Sequence, residues 1–152
     1  MSLFMNLTKN IKFIPFLRLD DSAYSPRLIK KASFSISKGS LSFAMASRLL
    51  PKKIRHSIFL LYFWCRTCDD MVDEIPANTG DKERSKVLRS LIDRTNRAIK
   101  SDSSTDKESA FAGLGQLFRL NSIPTCYALD LIGGMKSDLS HVPVKDEQQL
   151  SL

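Results

Sequence analysis

Four polar residues on one otherwise apolar stretch, Tyr62, Arg66, Asp69 and Asp73, are the part of this 152-residue chain best suited to chemistry. At the helical step of ~100° per residue, with Tyr62 set to zero, Arg66 falls near +40°, Asp69 near −20° and Asp73 near +20°, a stripe ~60° wide over three turns. Ile58, Phe59, Leu60, Leu61, Phe63, Trp64, Met71 and Val72 make the rest of the helix apolar in nearly every direction, the pattern of a helix enclosed by others. The acids are therefore expected to face an internal cavity. Asp69 and Asp73, one turn apart, repel each other unless a cation sits between them, and far more so when desolvated. A hard divalent ion meets that need: Mg²⁺, with Mn²⁺ as its substitute, takes one or two carboxylates, keeps several waters and completes its shell with substrate phosphate.

The competing reading of the stripe is an ordinary surface ladder in which Arg66 pairs with Asp69 and Asp70 at i+3 and i+4. The Cys65-Arg66-Thr67-Cys68 stretch lies in mid-helix, not at the strand-to-helix turn a redox pair of this spacing uses, so both thiols read as small buried hydrophobes. A thiolate metal site needs about four ligands, and only Cys126, His56 and His141 remain to supply them.

Helical periods position the stripe. Ser22 to Ser37 carries Tyr24, Leu28, Ile29, Ala32 and Ile36 at three-to-four spacing and breaks at Gly39. A short helix follows from Ser42 to Leu50, stopped by Pro51, and the long apolar helix runs from Lys52 to Glu74. Pro76, Asn78 and Gly80 mark a loop. Asp81 to Lys100 is amphipathic, with Val87, Leu88, Leu91, Ile92, Thr95 and Ile99 inward. Further helices are expected from Asp106 to Leu120, from Thr125 to Leu139, and from Val144 onward. Strand alternation is absent, which gives an all-α class.

Composition sets outer bounds. With 43% hydrophobic and 26% charged residues, 6 Gly and 6 Pro, the chain is globular, and no apolar run approaches the ~20 residues of a membrane span. Residues 1–66 hold 12 Lys and Arg against Asp20 and Asp21, a net of +10, while the remainder carries a net of −3. The basic half seeks an anion: a diphosphate, an anionic membrane surface or nucleic acid. Three cysteines, an odd number, favour a reducing compartment and a cytoplasmic location. Residues 1–21 form a basic segment whose Lys and Arg interleave with Phe and Ile, suited to peripheral membrane contact. Residues 22–152 read as one all-α unit.

Gly39-Ser40-Leu41-Ser42-Phe43, Ala46-Ser47-Arg48-Leu49-Leu50-Pro51, Arg55 and the run from Leu61 to Glu74 together resemble the squalene/phytoene synthase family of head-to-head prenyl transferases, and the bacterial phytoene synthases within it. Leu131 to Leu139 resembles a later family helix with a Gly-Met-x-x-Asp-Leu pattern. The resemblance implies an all-α isoprenoid-synthase helical bundle enclosing an apolar tunnel, of which this chain is the N-terminal half. It implies that Asp69, Asp70 and Asp73 form the first aspartate-rich, Mg²⁺-binding motif. It also implies that Ser40, Tyr62 and Arg66 contact a prenyl diphosphate, that Asp69, Asp73 and Arg66 act in catalysis, and that Phe43 lines the tunnel. Two geranylgeranyl diphosphates giving phytoene are favoured over two farnesyl diphosphates giving squalene or dehydrosqualene. Leu41 stands where many members have Lys. The chain ends before the family's second aspartate-rich motif, so it is expected to be inactive alone, and to self-associate where Phe59, Leu60, Phe63, Trp64 and Met71 lack cover. The reading from a different class is a non-catalytic basic module that binds an anionic membrane or nucleic acid. The prenyl-transferase reading needs no nucleic acid.

Overall fold

The computed structural model describes residues 24–76, 78–101 and 107–140, and every regular element among them is a helix. In chain order these are α1 (Pro26–Gly39), α2 (Leu41–Ser47), α3 (Lys52–Asp73), α4 (Asp81–Lys100), α5 (Ala110–Leu120) and α6 (Cys126–Ser140). The all-α class expected from the periodicity is the class observed.

Helix boundaries follow local chemistry. α1 starts at Pro26, a residue whose missing N–H costs nothing in a first turn, and so begins later than Ser22. Ser40 takes extended backbone angles that end α1, and its hydroxyl accepts a hydrogen bond from the Phe43 N–H (3.3 Å) to cap α2. α2 stops at Ser47, not Leu50. The N–H groups of Arg48, Leu49 and Leu50 each donate three residues back, a tightened turn that delivers the chain to Pro51 and α3. α4 matches its expected span because Gly80 precedes it, Asp81 and Glu83 occupy its first turn, and Arg97 and Lys100 its last, each complementing the helix dipole. α5 begins at Ala110, capped by Ser109, whose hydroxyl accepts from the Ala112 N–H at 3.1 Å. The helix expected from Val144 lies outside the described residues, as do residues 1–21 and His141.

α3 is the hub, packing against α1, α4, α5 and α6. Leu60, Trp64 and Cys68 of α3 are fully buried, with Leu28, Ala32 and Ile36 of α1 on one side and Leu114, Leu117 and Phe118 of α5 on another. α5 reaches backbone contact with α4 at Gly115, where a Cβ would collide with the Ala98 carbonyl. Arg119 Nη1 donates to that same carbonyl and to Ser101 O (3.3 Å), satisfying acceptors that the end of α4 leaves open.

Two expectations about burial change. Ile92, placed inward by periodicity, is at the surface, because α4 is covered along the Leu88, Leu91, Thr95 and Ile99 line only. Phe59, Leu60 and Trp64 are buried and Phe63 and Met71 half-buried, so the described helices themselves cover α3. Large apolar side chains stand exposed elsewhere, among them Phe34, Leu41, Met45 and Leu49. Cys65 and Cys68 are free and buried, and burial pushes the Cys65 thiol up to about 12, which makes them the inert hydrophobes expected. No described helix is long and apolar enough to cross a membrane.

Candidate functional site

The stripe on α3 runs from the interior to the surface. Tyr62 is 4% exposed, Asp69 is half-buried, and Arg66 and Asp73 are exposed. This corrects the expectation that all four face an enclosed cavity. The closed end is the work of the α1–α2 junction: the Phe43 ring stacks on Tyr62 (5.8 Å between centroids, 24° between planes), and a Cβ at Gly39 would collide with the Tyr62 hydroxyl. Gly39 and Phe43 therefore both meet Tyr62, although about twenty residues separate them from it in sequence. Ser40 accepts the Phe43 N–H as a cap, and a hydroxyl that accepts one bond still has its own proton to donate.

Beyond Tyr62 the site opens. Arg66 Nη2 bonds Asp70 Oδ1 at 2.7 Å, one turn on, with both side chains about half exposed. The pair lines an open cleft of about 440 Å³ between α1 and α3, walled by Phe34 and Phe63 and edged by Lys31, Ser35 and Lys38. These α1 residues escaped the sequence reading. Their signal was the i, i+4, i+7 spacing of Lys31, Ser35 and Lys38, a stripe that flanks the buried Leu28, Ala32 and Ile36 line.

The three acids do different things. Asp70 pairs with Arg66, as the surface-ladder reading would have it, whereas Asp69 is half-buried and feels the charge of Asp73. Among the described residues no three His, Cys, Asp or Glu side chains converge as a ready-made ligand set. Burial first, and Asp73 second, raise the Asp69 carboxyl above its ordinary value, against the lowering pull of Arg66. Two neighbouring carboxylates, Asp69 and Asp73, fit a hard divalent ion that would bring its own waters. Burial also raises the Tyr62 phenol, with Arg66 pulling down and Asp69 and Asp70 pushing up, so Tyr62 stays a proton donor at neutral pH.

The raised Asp69 carboxyl has a stability consequence. A carboxyl with a folded-state pKa above its unfolded value costs nothing below the unfolded value. The cost grows as pH rises from there to the folded pKa and is full above it. Asp69→Asn is therefore expected to raise the melting temperature of the metal-free chain at neutral pH, with the gain shrinking as pH falls through the carboxylate range. Thermal melts in EDTA across that range check it, and a lower melting temperature at neutral pH would refute the burial argument.

The described helices form an all-α bundle whose candidate site runs along its central helix, from the buried Tyr62 to the exposed Asp73. The squalene/phytoene synthase family pattern matches residues 36–152. The chain is 33% identical over 122 residues to the 15-cis-phytoene synthase of Pantoea ananas, covering 76% of this chain and 38% of that relative. It is 30% identical over 118 residues to the phytoene synthase of Pseudescherichia vulneris, with the same coverage. Over a shorter stretch of 64 residues it is 44% identical to the phytoene synthase of Cereibacter sphaeroides, covering 39% of this chain and 18% of the relative. No solved structure matches significantly. The chain belongs to the squalene/phytoene synthase family, and it spans 38% of the length of the first two relatives.

Proposed function

We propose that this chain carries the diphosphate-gripping part of a head-to-head prenyl transferase, with two geranylgeranyl diphosphates giving phytoene as the favoured reaction and the farnesyl pair as the second choice. The observation that carries the reading is the half-buried Asp69 beside Asp73, one turn from Arg66, inside the segment matched by the family pattern. An allylic diphosphate ionises by breaking its C–O bond with the electron pair leaving on the phosphate oxygen. The barrier falls when cations and donors stand ready for that charge. Arg66 supplies a fixed positive charge, and Tyr62 and Ser40 supply O–H donors at the enclosed end. The allylic cation left behind is sheltered from water by Phe43 and the Tyr62 ring, whose faces favour positive charge. Asp69 and Asp73 would hold Mg²⁺, or Mn²⁺ in its place, which when bound adds neutralising charge at the diphosphate. Asp70, committed to Arg66, is assigned to holding that side chain.

Isothermal calorimetry of the folded chain with a prenyl thiodiphosphate tests this reading. Affinity is expected to be on the order of tenfold or more tighter in Mg²⁺ than in EDTA, and Asp69→Asn combined with Asp73→Asn is expected to erase the difference. Equal affinity with and without metal, falling steeply with salt, would instead favour a non-catalytic basic module.

A further inference from the structure

The α3 stripe carries too little positive charge to hold a diphosphate by itself. Arg66 stands there against Asp69, Asp70 and Asp73, a net of −2 with all three acids ionised, which one divalent ion cancels and no more. Arg66 is moreover bonded to Asp70 at 2.7 Å. A diphosphate brings several further negative charges, and these call for cations from another element. The α1 wall of the neighbouring cleft has them. α1 contains no acid and carries Arg27, Lys30, Lys31 and Lys38, of which Lys31 and Lys38 line the cleft together with Arg66.

The two cleft lysines are not equivalent. Lys31 Nζ lies 2.9 Å from Glu108 Oε2 and is engaged there. Lys38 meets no carboxylate among the described residues; its ammonium lies 4.9 Å from the centroid of the Phe34 ring, one turn back on α1 and itself a wall of the cleft. An exposed lysine is ordinary, but one held over the aromatic wall of a cleft that also carries Arg66 has a place and keeps its protons to donate. The cleft also reaches the closed end of the stripe, because Gly39, the residue after Lys38, lines it and lies against the Tyr62 hydroxyl. We propose that Lys38 is a phosphate-binding residue of this site, sharing with Arg66 a diphosphate that lies across the cleft between α1 and α3. The assignment rests on the prenyl-diphosphate reading for the identity of the ligand and adds to it a cation from α1.

Calorimetry of the full chain with geranylgeranyl thiodiphosphate and with inorganic pyrophosphate, each in Mg²⁺ and in EDTA, tests the assignment. Lys38→Gln is expected to weaken both ligands by about fivefold or more in either buffer, and Lys38→Arg to keep most of the affinity. Lys30→Gln makes the same change of charge on α1 at a residue that does not line the cleft, and it is expected to have little effect. Circular dichroism confirms the fold of each variant. The metal site is read separately, from the ratio of affinities in Mg²⁺ and EDTA. Loss of that ratio in the unaltered chain with the Lys38 effect intact would sink the metal reading alone. A normal ratio with Lys38→Gln no weaker than Lys30→Gln would overturn the role of Lys38 alone. An effect of Lys38→Gln on the prenyl ligand but not on pyrophosphate would also overturn it, since the contact would then be to the chain and not to the phosphate. So would the absence of binding by the unaltered chain in both buffers.

Discussion

Arg66→Ala is expected to cut turnover by ~10²-fold or more in a chain extended to the length of its relatives, while leaving thermal stability almost unchanged. The separation of the two effects follows from where the side chain stands. Arg66 is about half exposed and its visible partner is Asp70, one turn along the same helix. An exposed pair of this kind contributes ~0.3–0.5 kcal/mol. Losing it barely alters folding. On the proposed function, losing a guanidinium that meets a departing diphosphate would remove charge stabilisation from the transition state, where no water can replace it at equal cost. Arg66→Lys is expected to recover only part of the activity, because a compact ammonium keeps the charge without the planar fork. Steady-state kinetics on helix-matched variants check this. Near-normal turnover of Arg66→Ala would make the residue structural and move the diphosphate elsewhere.

The shared face of these residues was legible in sequence because helical spacing alone brings Tyr62, Arg66, Asp69 and Asp73 to one side of α3. Their depth was not. Tyr62 is buried by Gly39 and Phe43, and a contact between residues so far apart leaves no trace in the periodicity of α3. The roles of the two adjacent acids were likewise undecided, since Asp69 and Asp70 differ by one step around the helix. In the fold Asp70 bonds Arg66, while burial and Asp73 raise the Asp69 carboxyl.

Helix limits were legible where a local signal was strong. Gly80 and the charged terminal turns fixed α4, whereas α1, α2 and α5 were drawn too long because Pro26, the turn before Pro51 and the Ser109 cap each override a run of compatible residues. Burial was harder to read than helicity. Of the α3 residues expected to lack cover, Phe59, Leu60 and Trp64 are buried and Phe63 and Met71 half-buried, while exposed apolar side chains fall on α2, where Phe43 takes the inner face and Leu41 and Met45 stand outward.

That enclosure makes a second large effect measurable. Leu60→Ala is expected to cost ~2–5 kcal/mol, the range for deleting a buried leucine whose site cannot collapse. Leu60 is fully buried, and its Cδ2 lies 3.1 Å from where a Cβ on Gly113 would be, so α3 and α5 meet through this side chain with little slack. The backbones cannot close the gap easily, because α5 is already in backbone contact with α4 at Gly115. Against a net stability of ~5–15 kcal/mol, such a loss is a large fraction of the total. At ~2–4 °C per kcal/mol for a chain of this size it lowers the melting temperature by roughly 5–20 °C. Trp64 is the chain's single tryptophan and is fully buried one turn from Leu60, so its emission reports the transition directly. Leu49→Ala, at a residue 88% exposed, is the matched control and is expected to stay within ~0.5 kcal/mol. If Leu60→Ala shifted the transition no more than Leu49→Ala does, the contact between α3 and α5 would not be the closed core that positions the site.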